Sequence, residues 1–233
     1  MQKIGIIVAM KEEAEAIAEL MKDVSKEEVY NLTFCKGKIH NQRCILVQSG
    51  IGKVNAARTT QIMIDKYKVD TVINVGASGS INGLLNIGDV LIGKQVVQHD
   101  FDITAFGHSR GFITGIGNFI ECDPTFIENI QKLFKNNSNS DYKIKLGIIA
   151  TGDIFCEDVS IKDKIRANFD ADVVDMECAA IGQVCYLDNI PFSVIRTISD
   201  TPNGNNASTF DDNLESASKR CADILNKYLK TIE

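Results

Sequence analysis

Continuous apolar runs that alternate with helical patterns restrict the fold of this chain more than any other feature. A run of this kind fits a strand whose two faces are both covered, as in a parallel sheet. The predicted strands are Lys3–Met10, Tyr30–Ile39, Arg43–Gln48, Asp70–Val75, Gly88–Val97, Lys143–Thr151, Ala171–Val174 and Pro191–Ser199. Helical patterns cover Glu12–Met21, Pro124–Phe134, Ser160–Phe169, Cys178–Leu187 and Phe210–Leu229. The alternation predicts a three-layer α/β fold, in which helices flank a central twisted, mainly parallel (mixed) sheet.

Length and charge limit the classes of partner. The 233 residues suffice for one α/β domain with a full core, so we expect a single domain over residues 1–233. The net charge of −6 argues against nucleic acid and against anionic lipid as partners. The apolar run Ile4–Met10 is too short to span a membrane, and acids rather than a cleavage site follow it. We therefore expect a soluble, cytoplasmic protein.

Cysteines and histidines give no pattern typical of a metal or disulfide framework. The 7 cysteines are unclustered and odd in number, which indicates reduced thiols. The histidines are too far apart in sequence to predict a metal site by spacing. His99 with Asp100 or Asp102 is the one possible metal pair, and a hydrogen-bonded loop cluster is the favoured interpretation. We expect neither a metal nor another cofactor.

Two glycine-rich segments follow predicted strands without matching a known phosphate motif. In Gln48–Ala57, Asn55 stands where a dinucleotide fingerprint needs its third glycine, and Val54 where a P-loop needs Ser or Thr. Residues 76–80 are not a nucleophile elbow, because Ser80 occupies the last glycine position. Glycines still let backbone approach a ligand closely, so Ala77, Ser78 and Gly79 are candidate binding residues.

Carboxylates recur where predicted strands end. Glu13, Asp175, Glu177 and Asp200 all lie at such ends, and ligands bind outside the carboxyl ends of strands in open α/β sheets. Acids at these positions also suit simple capping of the next helix, which is the competing interpretation. Separated carboxylates fit cleavage of a glycosidic bond, in which one activates water and another protonates the leaving group.

Six motifs in order carry a resemblance to a known family. They are IIVAMKEE (Ile6–Glu13), SGIGKV (Ser49–Val54), DITAFG (Asp102–Gly107), TGDIF (Thr151–Phe155), VDME (Val174–Glu177) and RTISD (Arg196–Asp200). With them the chain resembles the 5′-methylthioadenosine/S-adenosylhomocysteine nucleosidases from residue 3 to the terminal helix. The resemblance implies the nucleoside phosphorylase fold, a homodimer, no cofactor, and adenine thionucleosides as substrates. It also implies hydrolysis to adenine and a 5-thio-substituted ribose, with 5′-deoxyadenosine as a further expected substrate.

The resemblance also implies a role for individual residues. Glu13 matches the base that activates water, and Asp200, beside Ser199, matches the acid that protonates adenine N7. Glu177 matches the carboxylate that binds the ribose hydroxyls. The remaining implied contacts are Met176 on the sugar, Phe155 and Cys156 on adenine, Met10, Ile51 and Phe210 around the 5′ group, and Ile103, Phe106 and Thr114 from the partner subunit.

Three positions depart from the family pattern. Ala77 stands where many members have Ser, and its role passes to Ser78 or to backbone. Asp175 replaces the commoner Glu, and we assign it a supporting or capping role. Thr114 replaces an apolar Pro, which loosens the expected 5′ pocket.

Three other functions compete with this interpretation. A phosphate-dependent purine nucleoside phosphorylase shares the fold but places arginines around phosphate, where this chain has Glu12, Glu13 and Asn74. A hydrolase of another adenine nucleoside, such as a futalosine-type compound, differs only in the 5′ pocket. A nucleoside sensor needs no acid and base, so the presence of both Glu13 and Asp200 counts against it.

Overall fold

Strands and helices alternate along the chain, as the sequence predicts. The computed structural model describes residues 2–135, 141–202 and 206–232. The strands are β1 Lys3–Val8, β2 Lys22–Val29, β3 Leu32–Ile39, β4 Gln42–Gln48, β5 Thr71–Ser80, β6 Val90–Gln98, β7 Ile120–Glu121, β8 Ile144–Thr151, β9 Val173–Asp175 and β10 Phe192–Asp200. The helices are α1 Lys11–Ala18, α2 Lys53–Tyr67, α3 Pro124–Phe134, α4 Val159–Phe169, α5 Cys178–Leu187 and α6 Asn206–Thr231.

All these strands belong to one mixed sheet. Parallel pairings join β1 to β4 and β5, β5 to β10, and β8 to β6 and β9. Antiparallel pairings join β2 to β3 and β3 to β4 at one edge, and also β6 to β7 and β10 and β5 to β9. The end of β5 is flanked on both sides, because Gly79 pairs with Val174 of β9 and with Asp200 of β10. The two strands that end in Asp175 and Asp200 therefore flank the end of β5.

Helices cover the sheet on both faces, which confirms the predicted three layers. One buried cluster joins α2 and α5 to the sheet, through Met63 and Ile181 among others. A second cluster joins α1, α3 and α6 to the opposite face, through Ile17, Phe126 and Leu225. None of the described helices combines the length and apolar character needed to cross a membrane.

Two local predictions were wrong. The predicted helix Glu12–Met21 ends at Ala18, and the charged segment Lys22–Val29 forms strand β2 against β3. The predicted strand Asp70–Val75 is too short, because residues 76–80 continue strand β5 and pair with both β9 and β10. The region after β6 is irregular, with a 3₁₀ turn at Thr104–Phe106 and an isolated bridge between Ile113 and Gly117.

Candidate active site

A cleft opens where β1, β5, β9 and β10 end. Its empty volume, which includes space open to solvent, is about 690 Å³. Most of the residues that the sequence predicted for the site line it: Met10, Glu13, Ile51, Ala77, Ser78, Gly79, Phe155, Cys156, Asp175, Met176, Glu177, Asp200 and Phe210. Ala9, Ile154 and Val174 also line the cleft, and sequence reasoning did not select them.

Glu13 is fixed in the cleft by backbone amides. It lies in the first turn of α1, and its Oε2 accepts hydrogen bonds from the N–H groups of Ala9 and Met10, both at 2.9 Å. Its Oε1 accepts another from Ala77 N–H at 3.0 Å. Glu13 therefore caps its helix and also presents its carboxylate to the cleft. Burial raises the pKa of Glu13, while nearby Arg196 and the three amides act in the opposite direction.

Two glycines of β5 leave space for the acids. A Cβ atom at Gly76 would lie 2.5 Å from Glu13 Oε1, and one at Gly79 would lie 2.8 Å from Asp200 Oδ2. Real Cβ atoms do not approach oxygen that closely, so a side chain at either position forces a carboxylate to move. Gly76 and Gly79 thus allow the carboxylates of Glu13 and Asp200 to pack directly against strand β5.

Asp200 ends β10 with its carboxylate facing the cleft. Ser199 Oγ donates a hydrogen bond to Asp200 Oδ1 at 3.0 Å and also lies 3.2 Å from the carbonyl oxygen of Ser78. Burial raises the pKa of Asp200, while the Ser199 hydrogen bond and the Lys162 ammonium lower it. Ser199 does not itself line the cleft, so its contact with the site passes through Asp200.

Asp175 and Glu177 have different partners despite their closeness in sequence. Asp175 Oδ2 accepts from Cys178 N–H at 3.0 Å, at the start of α5, and Oδ1 accepts from Thr151 Oγ1 at 2.5 Å. Glu177 makes no side-chain cap of α5. Its Oε1 instead accepts from Gly52 N–H at 2.9 Å, at the start of α2, where Gly52 has φ +97°. Burial, together with the nearby Asp175, raises the pKa of Glu177 to about 7.

Arg196 lies beneath these acids, and sequence reasoning assigned it no role. Its Nη2 donates to Asp175 Oδ2 at 2.7 Å and to Asn74 Oδ1 at 2.6 Å. The guanidinium also lowers the pKa values of Glu13 and Glu177 through its charge. The available signal was a single cation inside the apolar strand β10, whose residues are all buried.

Apolar side chains form the rest of the cleft wall. The rings of Phe155 and Phe210 meet edge to face, with centroids 5.9 Å apart. Met10, Ile51 and Met176 add further apolar surface. Such a wall suits a flat heterocycle and an apolar substituent.

The three residues expected from a partner subunit do not line the cleft of their own chain. Phe106 is 82% exposed, Thr114 is exposed, and Ile103 is half-buried. All three lie in the irregular region after β6. Their placement leaves them available to another molecule.

No lysine or arginine is among the described residues that line the cleft. Phosphate sites rely on such cations or on clustered backbone amides. Within residues 2–135, 141–202 and 206–232, there is also no group of three His, Cys, Asp or Glu side chains that could hold a metal ion. The chemistry that this arrangement supports is acid–base chemistry by carboxylates.

Comparison with known proteins gives consistent matches over nearly the whole chain. The phosphorylase superfamily model matches residues 3–230. The 5′-methylthioadenosine/S-adenosylhomocysteine nucleosidase of Staphylococcus carnosus is 38% identical over 230 residues, which cover 98% of this chain and 100% of the relative.

Solved structures agree with the sequence matches. The nucleosidase of the same name from S. pneumoniae, solved with a transition-state inhibitor, has a TM-score of 0.93 and 35% identity, covering 99% of this chain and 100% of that one. Futalosine hydrolase of Helicobacter pylori also has a TM-score of 0.93 and 35% identity, covering 99% of this chain and 98% of that one. The chain belongs to the phosphorylase superfamily, and within it to the family of 5′-methylthioadenosine/S-adenosylhomocysteine nucleosidases.

Proposed function

We propose that this protein hydrolyses the N-glycosidic bond of 5′-methylthioadenosine and S-adenosylhomocysteine, releasing adenine and a 5-thio-substituted ribose. The observation that carries the proposal is the pair of buried carboxylates, Glu13 and Asp200, which face one cleft lined by no described cation. Such a pair supplies the base and the acid that hydrolysis of a glycosidic bond requires. We expect 5′-deoxyadenosine to react as well, since it has the same base and sugar face.

Glu13 acts as the base in this mechanism. Three backbone N–H groups fix its two oxygens, so the carboxylate is already oriented before substrate enters. Its raised pKa makes it a stronger base than an exposed glutamate, provided that it is ionised. It accepts a proton from the water that attacks the anomeric carbon.

Asp200 acts as the acid at the other end of the bond. Burial favours its protonated form, which can donate to adenine N7 as the bond between ribose and base breaks. Ser199 holds one oxygen of the carboxylate and so limits its rotation. The electron pair of the broken bond remains on the adenine ring, which leaves as neutral adenine after protonation.

Glu177 and the apolar wall hold the substrate. An ionised Glu177 accepts hydrogen bonds from the ribose 2′ and 3′ hydroxyls, with Met176 against the sugar. Phe155 stacks on adenine, a contact worth roughly 1–3 kcal/mol in base-binding proteins. Cys156 reads the base edge through its backbone, and Met10, Ile51 and Phe210 surround the 5′ substituent.

The proposal includes the assembly and the setting of the enzyme. It is a homodimer of one catalytic domain per chain, in which each subunit lends Ile103, Phe106 and Thr114 to the 5′ pocket of the other. It works in the cytoplasm, where its free thiols remain reduced.

Adenine release tests the function directly. The purified protein is given methylthioadenosine, adenosylhomocysteine or 5′-deoxyadenosine, each with and without inorganic phosphate. We expect release from each without phosphate, and strict dependence on phosphate would refute a hydrolase. A futalosine-type nucleoside forms a further arm, because the 35% identical futalosine hydrolase shares the fold. Reaction with that nucleoside alone would replace the proposed substrates.

A further inference from the structure

Lys162 is a buried lysine that the proposed mechanism does not use. It lies on α4, and only 1% of its surface is exposed, whereas Lys164 on the same helix is exposed. Lysine is almost never fully buried unless it is paired, because removing an ammonium group from water is costly. The position of Lys162 therefore calls for a nearby negative charge.

That charge is the carboxylate of Asp200. Lys162 Nζ lies 3.8 Å from Asp200 Oδ2, with both side chains buried. Nζ has no hydrogen-bond partner in the part of the chain that the structure describes. The other titratable groups around it are the Cys156 thiol and the Glu157 carboxylate, both from the segment before α4. Asp200 is the buried acid among them.

Lys162 approaches Asp200 from outside the cleft. Asp200 lines the cleft and Lys162 does not, so the ammonium lies behind the acid as seen by a bound ligand. Ser199 Oγ holds the other carboxylate oxygen, Oδ1, at 3.0 Å. A hydroxyl on Oδ1 and a cation near Oδ2 thus fix the carboxylate on both sides.

We infer that Lys162 is a positioning residue for the general acid, stabilising the ionised carboxylate that Asp200 becomes when it gives its proton to the leaving base. The inference rests on the proposed function, because it assumes that Asp200 is that acid. In this step the proton passes from Asp200 to adenine N7 and the bond between ribose and base breaks. Asp200 gains its negative charge beside a fixed positive one, which favours the transfer.

The electrostatics agree with this geometry. Burial raises the pKa of Asp200, while the Lys162 charge lowers it. Burial lowers the pKa of Lys162, while Asp200 acts most strongly among its neighbours to raise it. The pair therefore sets the pH at which the acid loses its proton, and removing the ammonium should move that pH upward.

The first test is a ¹³C NMR titration of the Asp200 carboxyl carbon in the enzyme without substrate, with the signal assigned by Asp200→Asn. We expect Lys162→Met to raise the pKa of Asp200 by roughly one to three units, the usual effect of losing an opposite charge at this distance. Lys164→Met removes an exposed charge from the same helix and should leave the Asp200 titration unchanged. If Lys162→Met does not fold, Lys162→Gln keeps a polar head group and should give the same shift.

The second test is the pH profile of adenine release. The alkaline limb of kcat/KM should move to higher pH in Lys162→Met and stay in place in Lys164→Met.

An unchanged Asp200 titration overturns the inference, even in an enzyme that releases adenine normally. A shifted titration with no movement of the alkaline limb overturns the catalytic part of the inference. A shifted titration in a protein that cleaves none of the nucleosides instead overturns the proposed function.

Discussion

Arg196 and Asp175 form a salt bridge inside the protein, with Nη2 2.7 Å from Oδ2 and each side chain only 2% exposed. Asp175 also accepts the N–H of Cys178, so the bridge ties β10 to the start of α5. The same guanidinium lies near Glu13 and Glu177. Its charge acts to lower the pKa values of both carboxyls, against the larger effect of burial, which raises them. One buried cation thus supports both the packing and the acids of the site.

Loss of that cation should destabilise the protein. Arg196→Met leaves Asp175 as a buried, uncompensated charge, for which we expect a loss of about 3–5 kcal/mol in the free energy of unfolding. Asp175→Asn in the same chain should recover part of the loss, because it removes the stranded charge. Urea unfolding of the two single variants and the double variant measures the coupling. Additive effects of the two substitutions would contradict the buried pair.

The raised pKa of Glu177 predicts that the difference in stability between the wild type and Glu177→Gln depends on pH. Its pKa is raised from 4.5 to about 7 in the folded protein. Below pH 4.5 Glu177 is protonated in both the folded and the unfolded chain, so its contribution to the stability of the fold is fully present. As pH rises towards 7, the unfolded chain releases the proton first, and this contribution to stability is lost.

Glu177→Gln should therefore gain stability relative to the wild type as pH rises from 4.5 to 8, by about 3 kcal/mol. The same variant should bind substrate more weakly, since a neutral amide replaces the carboxylate that accepts the ribose hydroxyls. Urea unfolding across this pH range measures the first effect and KM the second. Glu19→Gln, at an exposed acid, is the control for loss of one negative charge. A stability difference that is flat with pH would contradict the raised pKa.

The location of the acids at the cleft was predictable from the sequence, because each acid lies at the end of a predicted strand. Glu13, Glu177 and Asp200 come at or just after strand ends, and strand ends meet at one edge of an α/β sheet. The capping alternative was resolved only by contacts: Asp175 caps α5, whereas Glu177 reaches Gly52 on a different helix. Sequence spacing carries no information about that choice.

The buried cations were not predictable in the same way. Lys162 lies on a helix that also carries exposed charges, so its pattern does not indicate a buried partner. Arg196 was indicated only as a lone cation within a buried strand, which does not identify its partner. Strand β2 was missed because its residues are charged on both faces and show no alternation. Its pairing with β3, across the turn that contains Tyr30, decides the conformation there.

Removal of either catalytic carboxylate should abolish most of the activity. Asp200→Asn and Glu13→Gln should each lower kcat by about 10²–10⁴-fold, the usual contribution of general acid–base catalysis. Adenine release under saturating substrate measures this loss. Thermal unfolding is needed as a control for Glu13→Gln, because the amide group places a donor against backbone donors. A variant that folds and keeps more than about a tenth of the wild-type kcat would refute that residue's role.

Gly79→Ala should impair the enzyme through Asp200 alone. The new Cβ would lie 2.8 Å from Asp200 Oδ2 and 3.2 Å from Oδ1, so the carboxylate must move. A displacement near 1 Å at a catalytic group costs about 100-fold in rate, which we expect in kcat. In an Asp200→Asn background the same substitution should have little further effect, because both act on one side chain. Additive losses in the double variant would show that Gly79 acts elsewhere.

Phe106 tests the shared site of the proposed homodimer. Its ring is 82% exposed in its own chain and does not line that chain's cleft, so truncation affects catalysis only if another subunit receives it. Phe106→Ala should raise KM for methylthioadenosine roughly 5–30-fold, as for loss of an aromatic contact worth about 1–2 kcal/mol. Tyr30→Ala is the matched control, since Tyr30 is 73% exposed in the turn between β2 and β3. We expect its KM to stay at the wild-type value.

Analytical ultracentrifugation of both variants then separates loss of a pocket contact from loss of the dimer. An unchanged KM in a dimeric Phe106→Ala would show that the partner's ring lies outside the 5′ pocket.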